Sequence, residues 1–273
     1  MNFKIRLSVF LRSFFLQAGW NFMKYQNLGL TFVMLPFLKK LYNSDKEELS
    51  AVVKRYLETF NTQPIMASFC FGALAKKEEE IKNTKTITDF KEKATEWEAV
   101  KTSLSITTAS IGDRLFWGTI KPLTLLIALF IWLWCGVNFL EGDFTQHPTL
   151  FWTFFAGGVA FVVFNAIALF VKWKGLKSSY DAGEEGCFGL IHFDWNKTIY
   201  NAKRLGLLLS VGMILFGVYQ YFKGIGHPSL QFITRAIIVV SFVAISFVTR
   251  KLKIPNMYLY IISVIVFNIV CYL

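Results

Sequence analysis

Residues 150–171 read LFWTFFAGGVAFVVFNAIALFV and contain no charged side chain. A stretch of this length crosses about 30 Å of hydrocarbon as a single helix. Comparable apolar stretches follow one another through the second part of the chain, at 122–140, 205–222, 232–248 and 256–273. The sequence therefore predicts an all-α membrane protein with about five transmembrane helices.

The composition of the whole chain agrees with a membrane protein. The 273 residues are 54% hydrophobic and only 17% charged, whereas soluble domains carry about 25% charged residues. The net charge of +11 raises the question of nucleic-acid binding. The basic residues are spread along loops beside apolar stretches, which is typical of contact with lipid headgroups. We therefore expect a lipid bilayer as a partner, and no nucleic acid.

The distribution of lysine and arginine predicts an orientation in the membrane. The loop EGDFTQHP at 141–148 has neither residue, whereas Lys172, Lys174 and Lys177 follow the stretch at 150–171. Positive residues concentrate in cytoplasmic loops. The pattern places 141–148 outside the cell, the segment after 171 in the cytoplasm, and the C-terminus outside.

Residues 1–60 are predicted to form amphipathic surface helices. The first 17 residues mix apolar side chains with Lys4, Arg6 and Arg12, a pattern typical of a helix lying on anionic lipid. A secretory signal is the alternative interpretation. Residues 45–60 repeat apolar positions at helical spacing, and Ser44 stands at capping-box spacing from Glu47.

A polar group precedes a short apolar segment in FNTQPIMASFCFGALA. Asn61, Thr62 and Gln63 stand before Pro64, and the apolar run then ends at a charged segment, 76–101. We interpret 76–101 as a cytoplasmic insertion. Residues 61–75 suit a re-entrant segment, which is tolerated at membrane depth where protein surrounds it. An interfacial helix with a capped turn explains the same pattern.

Several motifs, taken in order, resemble one known family. They are FLRSFFLQAGWNFMKYQNLGLTFVMLPFLKKLY (10–42), RYLETFNTQP (55–64), IGDRLFWGTIKP (111–122), SSYDAGEEG (178–186) and LGLLLSVG (205–212). Together they resemble the IID membrane component of the mannose/fructose/sorbose family of sugar phosphotransferase systems. The similarity covers nearly the whole chain, which we treat as a single IID-like membrane domain, with 121–273 forming the transmembrane helices.

The resemblance implies a transporter subunit rather than an enzyme. Family members pair with a IIC membrane subunit, usually as a trimer of IIC/IID pairs, in the cytoplasmic (inner) membrane of bacteria. Cytoplasmic IIA and IIB proteins pass a phosphoryl group from phosphoenolpyruvate to a hexose. Their histidines carry that group, so we expect no catalytic residue and no cofactor here. His147, His192 and His227 are then loop or interface residues.

The resemblance also assigns roles within 111–122, which we place in a second re-entrant segment, 102–120. Gly112 and Gly118 would allow close backbone approach in a turn that Pro122 ends. The polar groups of the turn would come from Asp113 and Thr119.

Charged and aromatic side chains complete this motif. Arg114 or Lys121 would neutralise Asp113, which is costly to bury ionised. Trp117 would support a sugar ring or pack against the partner subunit. The predicted substrate path is thus lined by Asn61, Thr62, Gln63, Asp113, Trp117 and Thr119.

The chain departs from the family pattern in the same region. Arg114 replaces a usual proline, Lys121 replaces arginine, and SITTAS (105–110) replaces a glycine- and proline-rich turn. A non-transporting IID-like scaffold or regulatory protein is therefore the alternative function. We found no metal-ligand spacing, and the scattered cysteines Cys70, Cys135, Cys187 and Cys271 are typical of small buried residues.

Overall fold

The computed structural model describes residues 1–43, 45–84, 87–135 and 147–225. These residues contain helices and isolated β-bridges but no strand, which confirms the all-α class. The α-helices are α1 (Phe3–Arg12), α2 (Asn27–Leu41), α3 (Lys46–Tyr56), α4 (Ala67–Lys82), α5 (Ile87–Gly112), α6 (Lys121–Trp134), α7 (His147–Ala182) and α8 (Trp195–Ile225). The chain divides into two compact units, Met1–Val211 and Gly212–Leu273, and the contacts described below lie within the first.

Three helical stretches in the described residues are long and apolar enough to cross a membrane. They are Glu92–Trp132, Leu150–Ala182 and Trp195–Gly217. They overlap the first three predicted spans, although the first begins earlier in the chain than 122 and ends at Trp132. The spans predicted at 232–248 and 256–273, and residues 136–140 of the first, lie outside the described residues.

Residues 102–120 differ from the predicted re-entrant turn. Helix α5 runs without a break into a π-helical segment, Asp113–Ile120, and this continues directly into α6. The reason is local, because SITTAS contains neither glycine nor proline and nothing in it ends a helix. The π-helical widening falls just before Pro122, whose ring would crowd the carbonyl group four residues back in a regular α-helix.

Helix α4 forms the centre of the fold, between α5 and α7. Every residue from Ala67 to Ala75 is buried. Small residues allow α4 to approach α7 closely, since a Cβ atom at Gly72 would lie 2.6 Å from the Leu176 carbonyl oxygen and one at Gly175 would lie 2.6 Å from the Phe69 ring. Protein therefore surrounds the first half of α4 on all sides.

The N-terminal helix α1 packs against the end of α7. The rings of Phe3 and Phe10 lie 6.1 and 5.2 Å from that of Trp173. Directly after α1, the backbone carbonyl of Ser13 accepts a hydrogen bond of 3.1 Å from Lys172 Nζ. This predicted surface helix is thus fixed to the protein along one side, and Leu7 and Leu11 remain exposed on another.

Helix α3 begins one residue later than its predicted cap implied. Asp45 caps it, because its Oδ1 accepts a hydrogen bond of 2.9 Å from the Glu48 N–H. Ser44, the predicted cap, lies outside the described residues. The helix ends at Tyr56, short of the predicted residue 60.

The buried carboxylate of Glu78 joins α4 to its neighbours. It accepts hydrogen bonds from Tyr42 Oη (2.6 Å), from Tyr56 Oη (3.2 Å) and from Arg55. Burial, and then the charge of Glu78, raise the pKa values of Tyr42 and Tyr56 well above that of an ordinary tyrosine. Both phenols therefore stay protonated and donate to Glu78. The guanidinium of Arg55 also stacks on Trp97 of α5, 4.7 Å from the ring centroid.

The described residues of the charged segment 76–101 lie mainly in α4 and α5, and they are tied to the rest of the protein. Lys77, 4% exposed, forms ion pairs with Glu80, Glu96 and Glu184. These carboxylates belong to α4, to α5 and to the loop after α7, so one buried ammonium group holds three segments together.

Candidate functional site

The short segment 61–66, called the elbow below, leads into α4. Gln63 shapes it, because its Oε1 accepts hydrogen bonds from the backbone N–H groups of Ile65 (2.8 Å) and Met66 (2.9 Å). The residue at the N-cap of α4, Met66, makes no side-chain cap of its own. Gln63 therefore satisfies backbone donors that the start of the helix leaves free.

Gln26, directly before α2, holds the elbow from a second side. Its Nε2 donates to the Thr62 carbonyl (2.9 Å), and its Oε1 accepts from the Thr62 N–H (3.0 Å). Its side chain is buried. The sequence analysis did not identify this residue. A signal was available, because Gln26 stands just before an apolar helix in the same way that Gln63 stands before α4.

Thr108 of α5 closes a third side of the elbow. Its Oγ1 lies 2.7 Å from Thr62 Oγ1 and 3.4 Å from Cys70 Sγ. It also donates to the Leu104 carbonyl (2.6 Å), so its single hydrogen is used there and Thr62 donates to it. Thr108 belongs to SITTAS, and a residue counted as a departure from the family is thus part of the site.

Gly112 brings the end of α5 against the elbow. A Cβ atom at this position would lie 2.6 Å from Gln63 Cβ and 2.9 Å from Met66 Cγ. Gly118 makes no comparable approach, since the nearest atom to its Cβ position is the Asp113 carbonyl oxygen at 3.4 Å.

Gln63 also presents an unused donor. Its side chain is 2% exposed, and its Nε2 has no hydrogen-bond partner among the described residues. Both backbone contacts to Oε1 are N–H donors, so the orientation of the amide is determined by the network. The free N–H groups suit an acceptor such as a hydroxyl oxygen. Of its neighbours in the elbow, Thr62 is buried and Asn61 is exposed.

The π-helical segment presents an exposed face. This face consists of Asp113, Arg114, Trp117, Gly118, Lys121 and Pro122. Thr119 lies on the buried side instead, where its Oγ1 donates to the Arg114 carbonyl at 2.7 Å. Thr119 therefore supports the widened helix. Gly112, which packs against the elbow, directly precedes the first residue of this exposed face.

The predicted charge pairing of Asp113 is not formed. Among the described residues, neither Arg114 nor Lys121 makes an ion pair with it. The ammonium of Lys121 lies instead 5.0 Å from the centroid of the Trp117 ring. Asp113 is exposed, so it is not desolvated and requires no counterion within the chain. The described residues also contain no group of histidine, cysteine or acidic side chains arranged to hold a metal ion.

Comparison with known proteins places this fold in a family. The model of the IID component of the mannose/fructose/sorbose family of phosphotransferase systems matches residues 2–133. The chain is 35% identical over 207 residues to the fructose permease IID component of Bacillus subtilis, which covers 76% of this chain and 67% of the relative. It is 33% identical over 175 residues to the mannose-specific EIID component of Escherichia coli, covering 64% of this chain and 54% of the relative.

Solved structures share the fold. A chain of the mannose transporter ManYZ in complex with microcin E492 is 22% identical, with a TM-score of 0.55 and coverage of 100% of this chain and 96% of that one. A second structure, described as a membrane protein, is 23% identical with a TM-score of 0.65 and coverage of 99% and 96%.

The matched regions span about two thirds of the Bacillus subtilis relative and about half of the Escherichia coli one. The matching region of the family model contains the elbow, Thr108 and the exposed face. The chain belongs to the mannose/fructose/sorbose family of phosphotransferase-system IID components, and it is an integral membrane protein.

Proposed function

We propose that this chain and a IIC subunit together form a pathway for uptake of a mannose-type hexose. In this proposal the IIB protein phosphorylates the sugar on the cytoplasmic side, after IIB has received its phosphoryl group from IIA. The names of the relatives, which include fructose-, mannose- and sorbose-specific components, support a sugar substrate. We assign no catalytic step to this chain. In this proposal it forms part of the pathway and binds the sugar.

The observation that carries this proposal is the free amide donor of Gln63. Sugars present several hydroxyl oxygens, each of which accepts hydrogen bonds. A buried donor without a partner costs about 1–3 kcal/mol, and a passing hydroxyl group recovers part of that cost. Oε1 is held by two backbone N–H groups, so Nε2 cannot turn away. Asn61, Thr62 and Gln63 form the elbow side of the proposed path.

The exposed face of the π-helical segment is assigned to the partner. Trp117 is 47% exposed, and its ring is held beside Lys121. Aromatic side chains of this kind are enriched at protein interfaces. We assign Trp117, Arg114 and Lys121 to contact with the IIC subunit, and Asp113 to the junction between this contact and the path. The assembly proposed is a trimer of such pairs in the bacterial inner membrane.

A pair of variants at Gln63 tests the proposal. Gln63→Glu retains an oxygen for the Ile65 and Met66 N–H groups but removes the free donor, whereas Thr107→Val alters an exposed threonine of α5. Each variant is co-expressed with its IIC, IIB and IIA partners in cells that lack other uptake of the sugar. We expect Gln63→Glu to lose most hexose uptake while membrane abundance stays normal. Uptake equal to that of the unmodified chain would refute the role of Gln63.

A non-transporting scaffold is the second candidate. The observation that favours it is the continuous helix through 105–110, together with the Thr62–Thr108 contact that fixes the elbow to it. Purification of the tagged chain in mild detergent distinguishes the candidates. Recovery with an equal amount of a IIC subunit supports the transporter, and recovery as a stable chain alone supports the scaffold.

A further inference from the structure

The turn at 20–25, WNFMKY, carries the most exposed large apolar side chains in the described part of the chain. Phe22 and Met23 are each 87% exposed, and Trp20 is 45% exposed. The Trp20 and Phe22 rings lie 4.9 Å apart, so the exposed groups form one apolar tip. Exposure of this extent requires an explanation in a membrane protein as well as in a soluble one.

The turn is rigidly braced. Asn21 N–H donates to the Tyr25 carbonyl (3.0 Å), and Tyr25 N–H donates to the Asn21 carbonyl (2.9 Å). The Asn21 side chain accepts from the Lys24 N–H (2.9 Å) and donates to Asn27 Oδ1 (2.8 Å). Tyr25 adopts a left-handed backbone conformation, with φ of 57°. The apolar tip is therefore held outward by its own hydrogen bonds.

The turn also lies beside the elbow. Gln26 N–H donates to the Phe60 carbonyl (2.8 Å), one residue before the elbow begins. Lys24 Nζ pairs with the Glu58 carboxylate at 2.9 Å. The only charged side chain of the turn is thus matched by an acidic partner, and the tip itself is uncharged.

Contacts between helices give the depth of the elbow relative to α7. The backbone carbonyl of Phe69 accepts from Ser179 Oγ, and Lys77 pairs with Glu184. Later residues of α4 thus meet later residues of α7, and the two helices run in the same direction. The elbow precedes α4 and therefore lies at the end of α4 that is nearer to the apolar stretch 150–171.

Helix α2 runs in this direction as well. Its start meets the elbow through Gln26 and Thr62, and its end meets α4 through Tyr42 and Glu78. Extended back along α4 at 1.5 Å per helical residue, these contacts place the elbow level with the end of the apolar stretch of α7, within about 8 Å of Val171, and the turn lies beside it. That depth corresponds to the boundary between headgroups and acyl chains.

We propose that the turn at 20–25 is a wedge inserted into the bilayer at this boundary, in the leaflet next to Lys172 and Lys174. Tryptophan and tyrosine favour this level because their rings are amphipathic, and Phe22 and Met23 reach the acyl chains. Exposed apolar side chains directly after α1 and at the start of α2 continue from the turn as apolar surface, with Phe15 at 59%, Phe14 at 52% and Leu28 at 50%. The occupant of this surface is lipid.

Site-specific fluorescence in nanodiscs tests the proposal with the full chain. The native cysteines are replaced, and an environment-sensitive fluorophore is attached at Phe22→Cys. Two reference sites are labelled in parallel: Phe161→Cys, 70% exposed within the α7 span, and Lys54→Cys, exposed on α3. Lipids brominated near the headgroup end or near the methyl end of the acyl chain serve as quenchers. Met23→Cys repeats the measurement if Phe22→Cys does not fold.

We expect the fluorophore at position 22 to be quenched several-fold more by the shallow bromines than by the deep ones. Position 161 should show the opposite preference, and position 54 should show no quenching. Absence of quenching at both 22 and 23 would overturn the proposal. Quenching that is present for the chain alone but lost on assembly with a IIC subunit would also overturn it, because the occupant would then be protein.

Discussion

Gln63 and Gly112 are packed so closely that a Cβ atom at position 112 would lie 2.6 Å from Gln63 Cβ. The backbone of α5 at Gly112 therefore packs directly against the Gln63 side chain. Gln63 at the same time holds two backbone N–H groups through Oε1. Any displacement of Gln63 thus affects the start of α4 directly.

Gly112→Ala should destabilise the protein by about 1–3 kcal/mol, the usual range for overpacking a close contact. The Cβ meets Gln63 and Met66, and neither is free to move. Gly118→Ala is the matched control, because its Cβ meets no other segment of the described chain and alanine is the better helix former by about 1 kcal/mol. Thermal unfolding in detergent should show a lower Tm for Gly112→Ala alone. Equal Tm values for both variants would show that the contact is looser than described.

Thr108→Val should destabilise the elbow because it leaves the buried Thr62 hydroxyl without its acceptor. The expected cost is about 1–3 kcal/mol. Thr108→Ser retains the hydroxyl and should recover most of the Tm. Thr107→Val serves as the control, since Thr107 is exposed and its hydroxyl donates to the Ser103 carbonyl of its own helix at 2.8 Å. Equal Tm values for Val and Ser at position 108 would show that the hydroxyl group contributes little to stability.

Glu78→Gln should lower stability by about 3–5 kcal/mol, because it leaves the partly buried Arg55 without its carboxylate. Glu58→Gln, in the exposed pair with Lys24, should change the free energy of unfolding little. Urea unfolding followed by tryptophan fluorescence measures both variants. A small effect at Glu78 would mean that water or another acidic group compensates for the lost charge.

Stability should fall at alkaline pH because of Tyr42. Its pKa is raised in the folded protein by burial and by Glu78, whereas the unfolded phenol ionises near its ordinary value of about 10. Above that pH the unfolded state releases a proton that the folded state retains, so folding is progressively disfavoured. Tyr42→Phe should give a shallower decline of Tm with pH between about 10 and 11. Identical slopes would exclude Tyr42 as the group responsible.

Trp117→Ala should weaken association with a IIC subunit without lowering the Tm of the isolated chain. Trp117 lies on the exposed face, so its removal creates no cavity in the chain. Phe161→Ala, at an exposed position of α7, controls for loss of any exposed aromatic ring. Quantitative co-purification measures the ratio of IIC to tagged chain. An unchanged ratio for Trp117→Ala would show that Trp117 does not contribute to the interface with the IIC subunit.

The fold class and the first three spans were readable from the sequence because they depend on composition and length alone. Residues 102–120, expected to form a re-entrant turn, lie in an uninterrupted helical run because of a local signal. SITTAS has no residue that ends a helix, and the backbone followed that signal. Periodicity also gave no information on α4, since an apolar segment that is buried on all sides has no exposed face to mark its orientation.

The candidate site was only partly predictable for a different reason. Thr62 and Gln63 stood out as polar residues before an apolar run. Their partners Gln26 and Thr108 are separated from Thr62 by 36 and 46 positions, and no local pattern connects residues so far apart. Lys121 lies beside Trp117 and does not pair with Asp113. Asp113 is exposed and needs no counterion, and a single sequence does not show that exposure.

The common direction of α2 and α4 gives the elbow a definite electrostatic potential. Both helices begin there, so the positive ends of their macrodipoles converge on Gln26 and Gln63. Oxygen lone pairs are attracted to such a region, whereas cations are repelled from it. In the pathway proposed above, the elbow would therefore disfavour cations such as sodium and potassium, and a neutral polyol would pass it without a counterion.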